Sequence, residues 1–374
     1  MRVAVLGTRG FPDVPGGVEK HCEELYPRLV DLGCEVTVFT RAPYIKEENR
    51  AAYWKGVRFQ HLWCPRKKSV EAIAHTLLGV LRAGRIQPDI LHIHAIGPAL
   101  MAPVAKGLRH KTVITHHGHD YQRDKWGRAA KAVLRLGEKA GVHSGDAVIA
   151  VSRLIKDEIY KKYRKEAVYI PNGVAMPGFI PAGDELEKLR LSPRRYVFTA
   201  CRFVPEKGLH DLVEAYGKIE NPGFKLVIAG DADHETTYSK NLKKKCSETD
   251  GVVLAGYTTG RKLGELFSNA GLFVLPSYYE GLPIALLEAM SYNLPVLVSD
   301  IPQHKEIPLD ENSYFRAGSV DDLARGIVQR FQEKVPGRDA ENGNLSLLRR
   351  EYNWDVIAAK TLGIYKTVLE ARGK

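Results

Sequence analysis

The sequence predicts an α/β protein of two parallel-sheet domains in tandem, and three observations carry that reading. At 374 residues the chain exceeds the usual core, about 100–200 residues, so two domains of similar size are expected. Short β-branched runs alternate with stretches of helical periodicity at Val3–Leu6, Val36–Phe39, Ile90–Ile93, Thr112–Thr115 and Ala147–Val151, which argues for a parallel sheet wrapped by helices. The pattern then restarts at Tyr196–Cys201, Lys225–Ala229, Val252–Leu254, Leu272–Leu275 and Pro295–Ser299. Between the halves, IPNGVAMPGFIPAGDELEKLRLSPRR is rich in Pro and Gly and loses periodicity. The expected division is a first domain over 1–171, a linker over 172–195 and a second domain over 196–374, with the last helix, around Val356–Glu370, at the domain junction. Two open parallel sheets imply that they face across a cleft, with ligands at the carboxyl ends of the strands.

Composition narrows the class. Apolar and charged fractions of 44% and 26% are those of an ordinary globular protein, so disordered and fibrous classes drop out. The cysteines (Cys22, Cys34, Cys64, Cys201, Cys246) are scattered and odd in number, without disulfide or zinc spacing. The chain opens on the apolar strand MRVAVLG rather than on a leader, and no apolar run reaches the roughly 18 residues of a membrane span. The expectation is a cytoplasmic protein. A net charge of +11 suits nucleotide phosphates, nucleic acid or an anionic membrane surface. Nucleic acid is not expected, because recognition-helix and RNA-binding aromatic motifs are missing. In Gly127–Val142, Arg128, Lys131, Arg135 and Lys139 recur at helical spacing on one face, with Ala129, Val133, Leu136 and Ala140 on another. This is either a solvated face or peripheral contact with an anionic membrane, which Arg66, Lys67 and Lys68 would extend.

Four strand-to-helix loops carry the candidate chemistry. In GTRGFPDVPGGVEKHCEEL, Gly16 and Gly17 let a ligand approach the backbone at a helix start where unpaired N–H groups suit an anion. The spacing is not GxGxxG, and Arg41 stands where a dinucleotide site wants an acid. A tight turn that merely needs glycine is the structural alternative. In THHGHDYQRDKW, His116, His117, His119 and Asp120 follow a strand; their spacing is no recognisable zinc pattern, so they read as hydrogen-bonding groups for a polar ligand. In ACRFVPEKGLHDLVEAY, Arg202 and Lys207 flank a loop above the sheet and suit a diphosphate. In SYYEGLPIALLEAM, Glu280 lies in the loop and Pro283 suits the first helical position. The amides around Gly281, Leu282, Ile284 and Ala285 make an anion site, and Glu288 returns toward it from inside the helix. One ligand in three parts fits: a sugar at Glu280, a diphosphate at the helix start and ribose hydroxyls at Glu288. The alternative is that both glutamates are solvated charges favoured by the helix dipole.

These motifs resemble, in the expected order along nearly the whole chain, those of the retaining family 4 glycosyltransferases: EGLPIALLEAM their Glu-x7-Glu motif, RFVPEKG their donor-diphosphate motif, PGGVEKHCEEL and IPNGV their N-terminal loop and interdomain segment. The resemblance implies the GT-B fold of two Rossmann-like domains. It implies that Arg202 and Lys207 bind the donor diphosphate, Glu280 the transferred sugar and Glu288 the ribose, with Gly16 and Gly17 near the phosphates or acceptor. The family's active-site histidine corresponds to His117, or to His116 in the doublet. It further implies transfer from a UDP-, GDP- or dTDP-linked sugar to a saccharide or lipid-linked acceptor, with retention and no metal cofactor; the DAD at Asp231–Asp233 reads as coincidence. GTRG and HDYQRDKW resemble a bacterial surface-polysaccharide subgroup that includes rhamnosyltransferases. A nucleotide-sugar epimerase or hydrolase on the same architecture is the competing activity.

Overall fold

The computed structural model describes residues 1–45, 50–65, 71–122, 126–232, 234–333 and 343–371. Contacts divide the chain into two units, Met1–Gly173 with Tyr352–Lys374, and Val174–Glu351. The strands of the first are β1 (Arg2–Leu6), β2 (Glu35–Arg41), β3 (Tyr53–Trp54), β4 (Val57–Leu62), β5 (Ile90–His94), β6 (Thr112–His116), β7 (Ala147–Ala150) and β8 (Val168–Tyr169). They form one sheet in the order β3-β4-β2-β1-β5-β6-β7-β8, antiparallel only at β3–β4. The second unit holds β9 (Tyr196–Ala200), β10 (Lys225–Ala229), β11 (Val252–Gly256), β12 (Leu272–Leu275), β13 (Val296–Ser299) and β14 (Tyr314–Phe315), in the order β11-β10-β9-β12-β13-β14 and parallel throughout.

Central strands such as β5 and β12 are buried along their whole length; β12 is wholly apolar, LFVL, and β5, ILHIH, carries two histidines inside. In each sheet the chain starts centrally, builds outward on one side, then crosses to the other. The reversals lie between β1 and β5 and between β9 and β12. At each one a glycine is required. A Cβ on Gly7, at φ +100°, would stand 2.1 Å from the His94 carbonyl oxygen, and one on Gly208, at φ +64°, 2.1 Å from that of Pro276.

The helices pack as their apolar stripes dictate. Cys22, Leu25, Tyr26 and Leu29 of the helix Gly17–Asp31 join Val3, Val5, Val36 and Val38 in the first core. Leu209, Leu212 and Val213 of the helix Leu209–Gly217 meet Val197, Leu226 and Ile228 in the second, each such side chain contributing about 1.5–3 kcal/mol. Val133 and Leu136 of the helix Arg128–Ser144 are 38% and 56% exposed, so the flank beside the basic stripe faces solvent. The buried face runs instead through Gly137, Glu138, Gly141 and Val142. The glycines set that choice, because a Cβ on Gly137 would lie 2.2 Å from the Ile96 carbonyl oxygen.

Two expected boundaries shift. The second domain was expected to run to residue 374, but the helix Trp354–Glu370 belongs to the first unit. Its Trp354, Ile357, Ala358, Tyr365 and Val368 enter the first core against the helix Gly17–Asp31. The expected linker 172–195 is largely docked on the second unit: the Gly183 and Leu186 amides each donate to Glu265 Oε1 at 2.9 Å, and the Ile180 amide to Ser268 Oγ at 3.1 Å. Those bonds explain the short helix Asp184–Lys188 within a Pro/Gly-rich stretch. All five cysteines are free thiols. Among the described residues no helix is long and apolar enough to cross a membrane. Arg66, Lys67 and Lys68 lie outside the described residues.

Candidate active site

In the second unit the predicted residues converge at the β9/β12 reversal. Lys207 ends a short turn after β9, and Glu280 stands in the loop after β12. The loops are knitted together by the Tyr278 amide donating to the Glu206 carbonyl at 2.9 Å and by the close approach at Gly208. Lys207 Nζ donates to Glu280 Oε1 at 2.5 Å, and Ser277 Oγ donates to the same oxygen at 2.6 Å. Burial works to raise the Glu280 pKa, but the Lys207 ammonium and these donated bonds outweigh it and hold the group below the ordinary carboxylate value. The Cys201 thiol at the end of β9 is pushed up to about 12 by burial, and it feels the charges of Lys207, Glu280 and Arg202 together. Arg202 follows Cys201 directly at the end of β9.

Beyond Glu280 the chain enters the helix Ile284–Ser291. Pro283 is its N-cap, at φ −76° and ψ 102°, one position earlier than the first helical residue expected. The extended ψ explains the offset, and the Leu286 and Leu287 amides already bond to the Pro283 carbonyl at 3.2 and 3.3 Å. Glu288 is half-buried one turn inside this helix, close enough for its carboxylate to help raise the Tyr292 hydroxyl after burial. Asp231 of the DAD sequence is engaged by Lys243 Nζ at 2.7 Å, and Asp233 lies outside the described residues.

In the first unit the loop after β1 is held by an ion pair. Arg9 donates from its amide and its Nε to Glu19 Oε1, both at 3.1 Å. Gly16, at φ +144°, passes where a Cβ would lie 2.0 Å from Glu19 Oε2, whereas a Cβ on Gly17 would meet nothing within 4 Å. The space over Gly17 is therefore open at the helix start.

The histidine doublet divides. His116 is buried, and its Nε2 lies 3.1 Å from Glu138 Oε1. His119 reaches the same oxygen at 3.1 Å, Tyr163 donates to Glu138 Oε2 at 2.6 Å, and Lys162 also donates there. Burial opposes ionisation of Glu138, and these donors reverse the effect and hold its pKa far below the ordinary value. His117, half-buried, turns the other way. Its Nε2 is 2.9 Å from His94 Nδ1, and its ring sits 4.8 Å from that of His21. His94 Nε2 lies 2.5 Å from Tyr26 Oη, which is 3.1 Å from His92 Nδ1. His92 reaches Tyr365 Oη at 2.6 Å and Thr115 Oγ1 at 2.7 Å. Burial drives these imidazoles neutral: His21 falls to about 4, His92 to about 3, and His94 and His117 well below their ordinary value.

Sequence reasoning missed His21, His94, Ser277 and His304. His304, buried after β13, has its Nδ1 2.8 Å from the Ser299 carbonyl oxygen, and burial lowers it to about 4. His94 carries a signal that was available, since LHIHAIG ends a strand in histidine just as THHG does.

Comparison with known proteins identifies the family domains and the fold. Residues 15–176 match the family model Glycosyltransferase Family 4, and residues 182–340 match Glycosyl transferases group 1. The chain is similar along its whole length to an uncharacterised glycosyltransferase of Methanocaldococcus jannaschii, 26% identical over 400 residues covering 100% of both. It is 29% identical over 271 residues to the UDP-Gal:alpha-D-GlcNAc-diphosphoundecaprenol alpha-1,3-galactosyltransferase of Escherichia coli, covering 66% of this chain and 67% of that one. The solved structure of HepE from Anabaena in complex with UDP and glucose shares the fold, with TM-score 0.80 at 16% identity over 98% of this chain and 100% of that one. One family domain thus spans most of the first sheet and the other spans the second, and the chain is a glycosyltransferase of the GT-B fold, made of a family 4 domain followed by a group 1 domain.

Proposed function

We propose that this glycosyltransferase works with retention, moving a sugar from a nucleotide-diphosphate sugar to a saccharide or polyprenyl-diphosphate-linked saccharide in bacterial surface-polysaccharide synthesis. The observation that carries the reading is the Lys207–Glu280 pair at the β9/β12 reversal, with Arg202 in the same loop after β9. Lys207 keeps Glu280 ionised, and an ionised carboxylate accepts hydrogen bonds from the hydroxyls of the transferred sugar. Arg202, Lys207 and the first-turn amides after Gly281, Leu282 and Pro283 take the diphosphate; Glu288 takes the ribose hydroxyls.

The acceptor hydroxyl forms its bond to the anomeric carbon on the face the diphosphate leaves. The carbon–oxygen bond to the diphosphate breaks with its electron pair, and a diphosphate oxygen takes the acceptor proton. The protein contributes positioning and charge stabilisation by Arg202 and Lys207, so the donor needs no metal. His117 serves the acceptor as a neutral imidazole, and Gly16 and Gly17 admit a phosphate or acceptor to the open helix start. The name of one relative carries UDP-Gal, which supports testing UDP sugars first, and dTDP-rhamnose tests the rhamnosyl reading.

A thermal-shift panel of UDP, GDP, dTDP and their sugar conjugates tests the donor site on the wild type and on Glu288→Ala. A ligand at 100 times its dissociation constant stabilises by about 2.7 kcal/mol. One nucleotide class is expected to raise the melting temperature, with much of the effect lost in Glu288→Ala; no response to any nucleotide overturns the reading. Retention is read from the product anomer by NMR, an inverted product being the contrary result. Product on an added acceptor separates transfer from epimerisation or hydrolysis.

The exposed Val133 and Leu136, among Arg128, Lys131, Arg135 and Lys139, support peripheral binding to an anionic cytoplasmic membrane face, where a lipid-linked acceptor would be found. Leu77, Leu78 and Leu81 of the helix Glu71–Ile86, which packs on the same turn Pro98–Met101, are exposed as well.

A further inference from the structure

We propose that the first unit binds a divalent first-row transition ion, with zinc as the reference case, on the imidazoles of His21, His94 and His117. One comes from the helix Gly17–Asp31, one from the end of β5 and one from the loop after β6, and one ring nitrogen of each lies within 4.8 Å of the others. This ion is not the counter-charge of the donor, which the cations of the second unit supply, so the inference stands apart from the donor reading.

Two features point to a metal rather than to ordinary packing. The first is orientation by outer partners. His21 Nδ1 donates to Asn172 Oδ1 at 3.0 Å, which leaves a lone pair on Nε2. His94 Nε2 has Tyr26 Oη at 2.5 Å, and when that nitrogen carries the proton the lone pair is on Nδ1. Metal-binding histidines are typically held in this way, the far nitrogen bonded and the near one bare. The second is the 2.9 Å approach of His94 Nδ1 to His117 Nε2. Two bare lone pairs would repel there, so one proton or one cation must lie between these nitrogens. A shift of the His117 proton from Nε2 to Nδ1 frees both nitrogens, so ion uptake needs no net proton release.

The neighbouring group of His116, His119 and Glu138 is equally compact, yet it points elsewhere. Its carboxylate is already filled by two imidazoles, the Tyr163 hydroxyl and the Lys162 ammonium. A dication there would have to displace a cation, whereas among His21, His94 and His117 it displaces none. Three imidazoles select zinc, cobalt, nickel or copper over magnesium and calcium, which want oxygen ligands. Half-buried His117 gives the ion a way in, and a tetrahedral ion on three nitrogens keeps a fourth position for an oxygen ligand.

The test uses the full chain stripped with EDTA. Dialysis against zinc, followed by elemental analysis, is expected to give one equivalent, with none for magnesium under the same conditions. His21→Gln and His117→Gln are each expected to weaken zinc binding at least about tenfold, while His119→Gln leaves it unchanged. Cobalt in place of zinc is expected to give visible d–d absorption without thiolate charge transfer, which excludes the buried Cys22 beside His21. Melting curves of the metal-free variants control for folding, and His117→Gln carries the test if His21→Gln unfolds. Failure of the wild type to take up zinc saturably, uptake unchanged in both variants, or a thiolate band overturns the proposal.

Discussion

The two units solve one topological problem with opposite electrostatics. Each sheet reverses direction beside its first strand, and each reversal brings a glycine against the carbonyl of the neighbouring loop, Gly7 at His94 and Gly208 at Pro276. At the first reversal the chain places His21, His92, His94 and His117, made neutral by burial: Tyr26 bridges His92 and His94, His94 bonds His117, and His21 is held by Asn172. At the second it places an ammonium on a carboxylate. Topology therefore fixes where a site forms, and the side chains decide whether it is held by neutral hydrogen bonds or by charge.

Acid should separate the units most strongly. The folded pKa values of His21, His75 and His92 lie at about 4, about 4 and about 3, below the ordinary histidine value of 6.5. Their contribution to stability is complete above about 6.5 and is lost as pH falls through the folded values, because the unfolded chain binds the proton first. His21 alone accounts for roughly 3 kcal/mol, at 1.36 kcal/mol per pKa unit. In the second unit burial lowers His304 to about 4, while Glu280, also lowered, gives way only below the ordinary carboxylate range. All four tryptophans, Trp54, Trp63, Trp126 and Trp354, lie in the first unit. Between pH 6.5 and 4.5 the fluorescence transition is expected to precede the loss of far-UV ellipticity. Coincident transitions would remove the contrast.

The charge pair of the second unit comes next. Lys207→Ala leaves the Glu280 carboxylate, 9% exposed, without its ammonium. The expected cost is about 3–5 kcal/mol, with donor-dependent activity abolished. The double variant Lys207→Met with Glu280→Gln should recover most of the stability and none of the activity. Thermal melts and turnover assays on the three proteins check this, and a single variant as stable as the double would show that the pair is not what holds the two loops.

Much of this was legible in the sequence, for a physical reason. Strands buried on both faces are written as apolar runs, so β1, β5, β9 and β12 stood out, and the loops after them followed. The strands β3, β4, β8 and β14, at or next to a sheet edge, did not, because a partly exposed strand such as VRFQHL mixes polar residues into its pattern. Lys207 and Glu280 were legible singly. Their contact was not, since it joins loops 73 residues apart. The docking of the last helix depends on still longer pairings, such as His92 with Tyr365 across 273 residues. His21 was passed over because a buried histidine on a helix face leaves no mark that distinguishes a ligand from a core residue.

Within the first unit, the doublet offers a finer division. Glu138→Gln removes the anion that gathers His116, His119, Tyr163 and Lys162, and it is expected to cost about 2–3 kcal/mol. His116→Gln should likewise lower the fluorescence melting point with little direct effect on turnover. His117→Gln should do the reverse, lowering kcat by about 100-fold or more with a stability change under about 1 kcal/mol. Equal behaviour of the two histidine variants would mean that their opposite orientations have no functional meaning.

The smallest effect on stability belongs to the surface, where the units also differ. The first exposes Leu77, Leu78, Leu81, Val104, Leu108, Val133 and Leu136, whereas among the described residues of the second the large apolar residues exposed are Phe179, Tyr257 and Tyr278. Solvent-facing substitutions usually change stability by less than about 0.5 kcal/mol. Arg135→Glu with Leu136→Ser should therefore leave both melting transitions in place. Each basic residue near an anionic bilayer contributes about 1 kcal/mol, so reversing one charge and removing an apolar contact should weaken binding to phosphatidylserine vesicles at least about tenfold. Tyr257→Ser in the second unit should leave sedimentation with those vesicles unaltered. If the two variants sediment alike, the exposed face of the first unit is only a solvated one, and the contrast between the units is confined to their reversals.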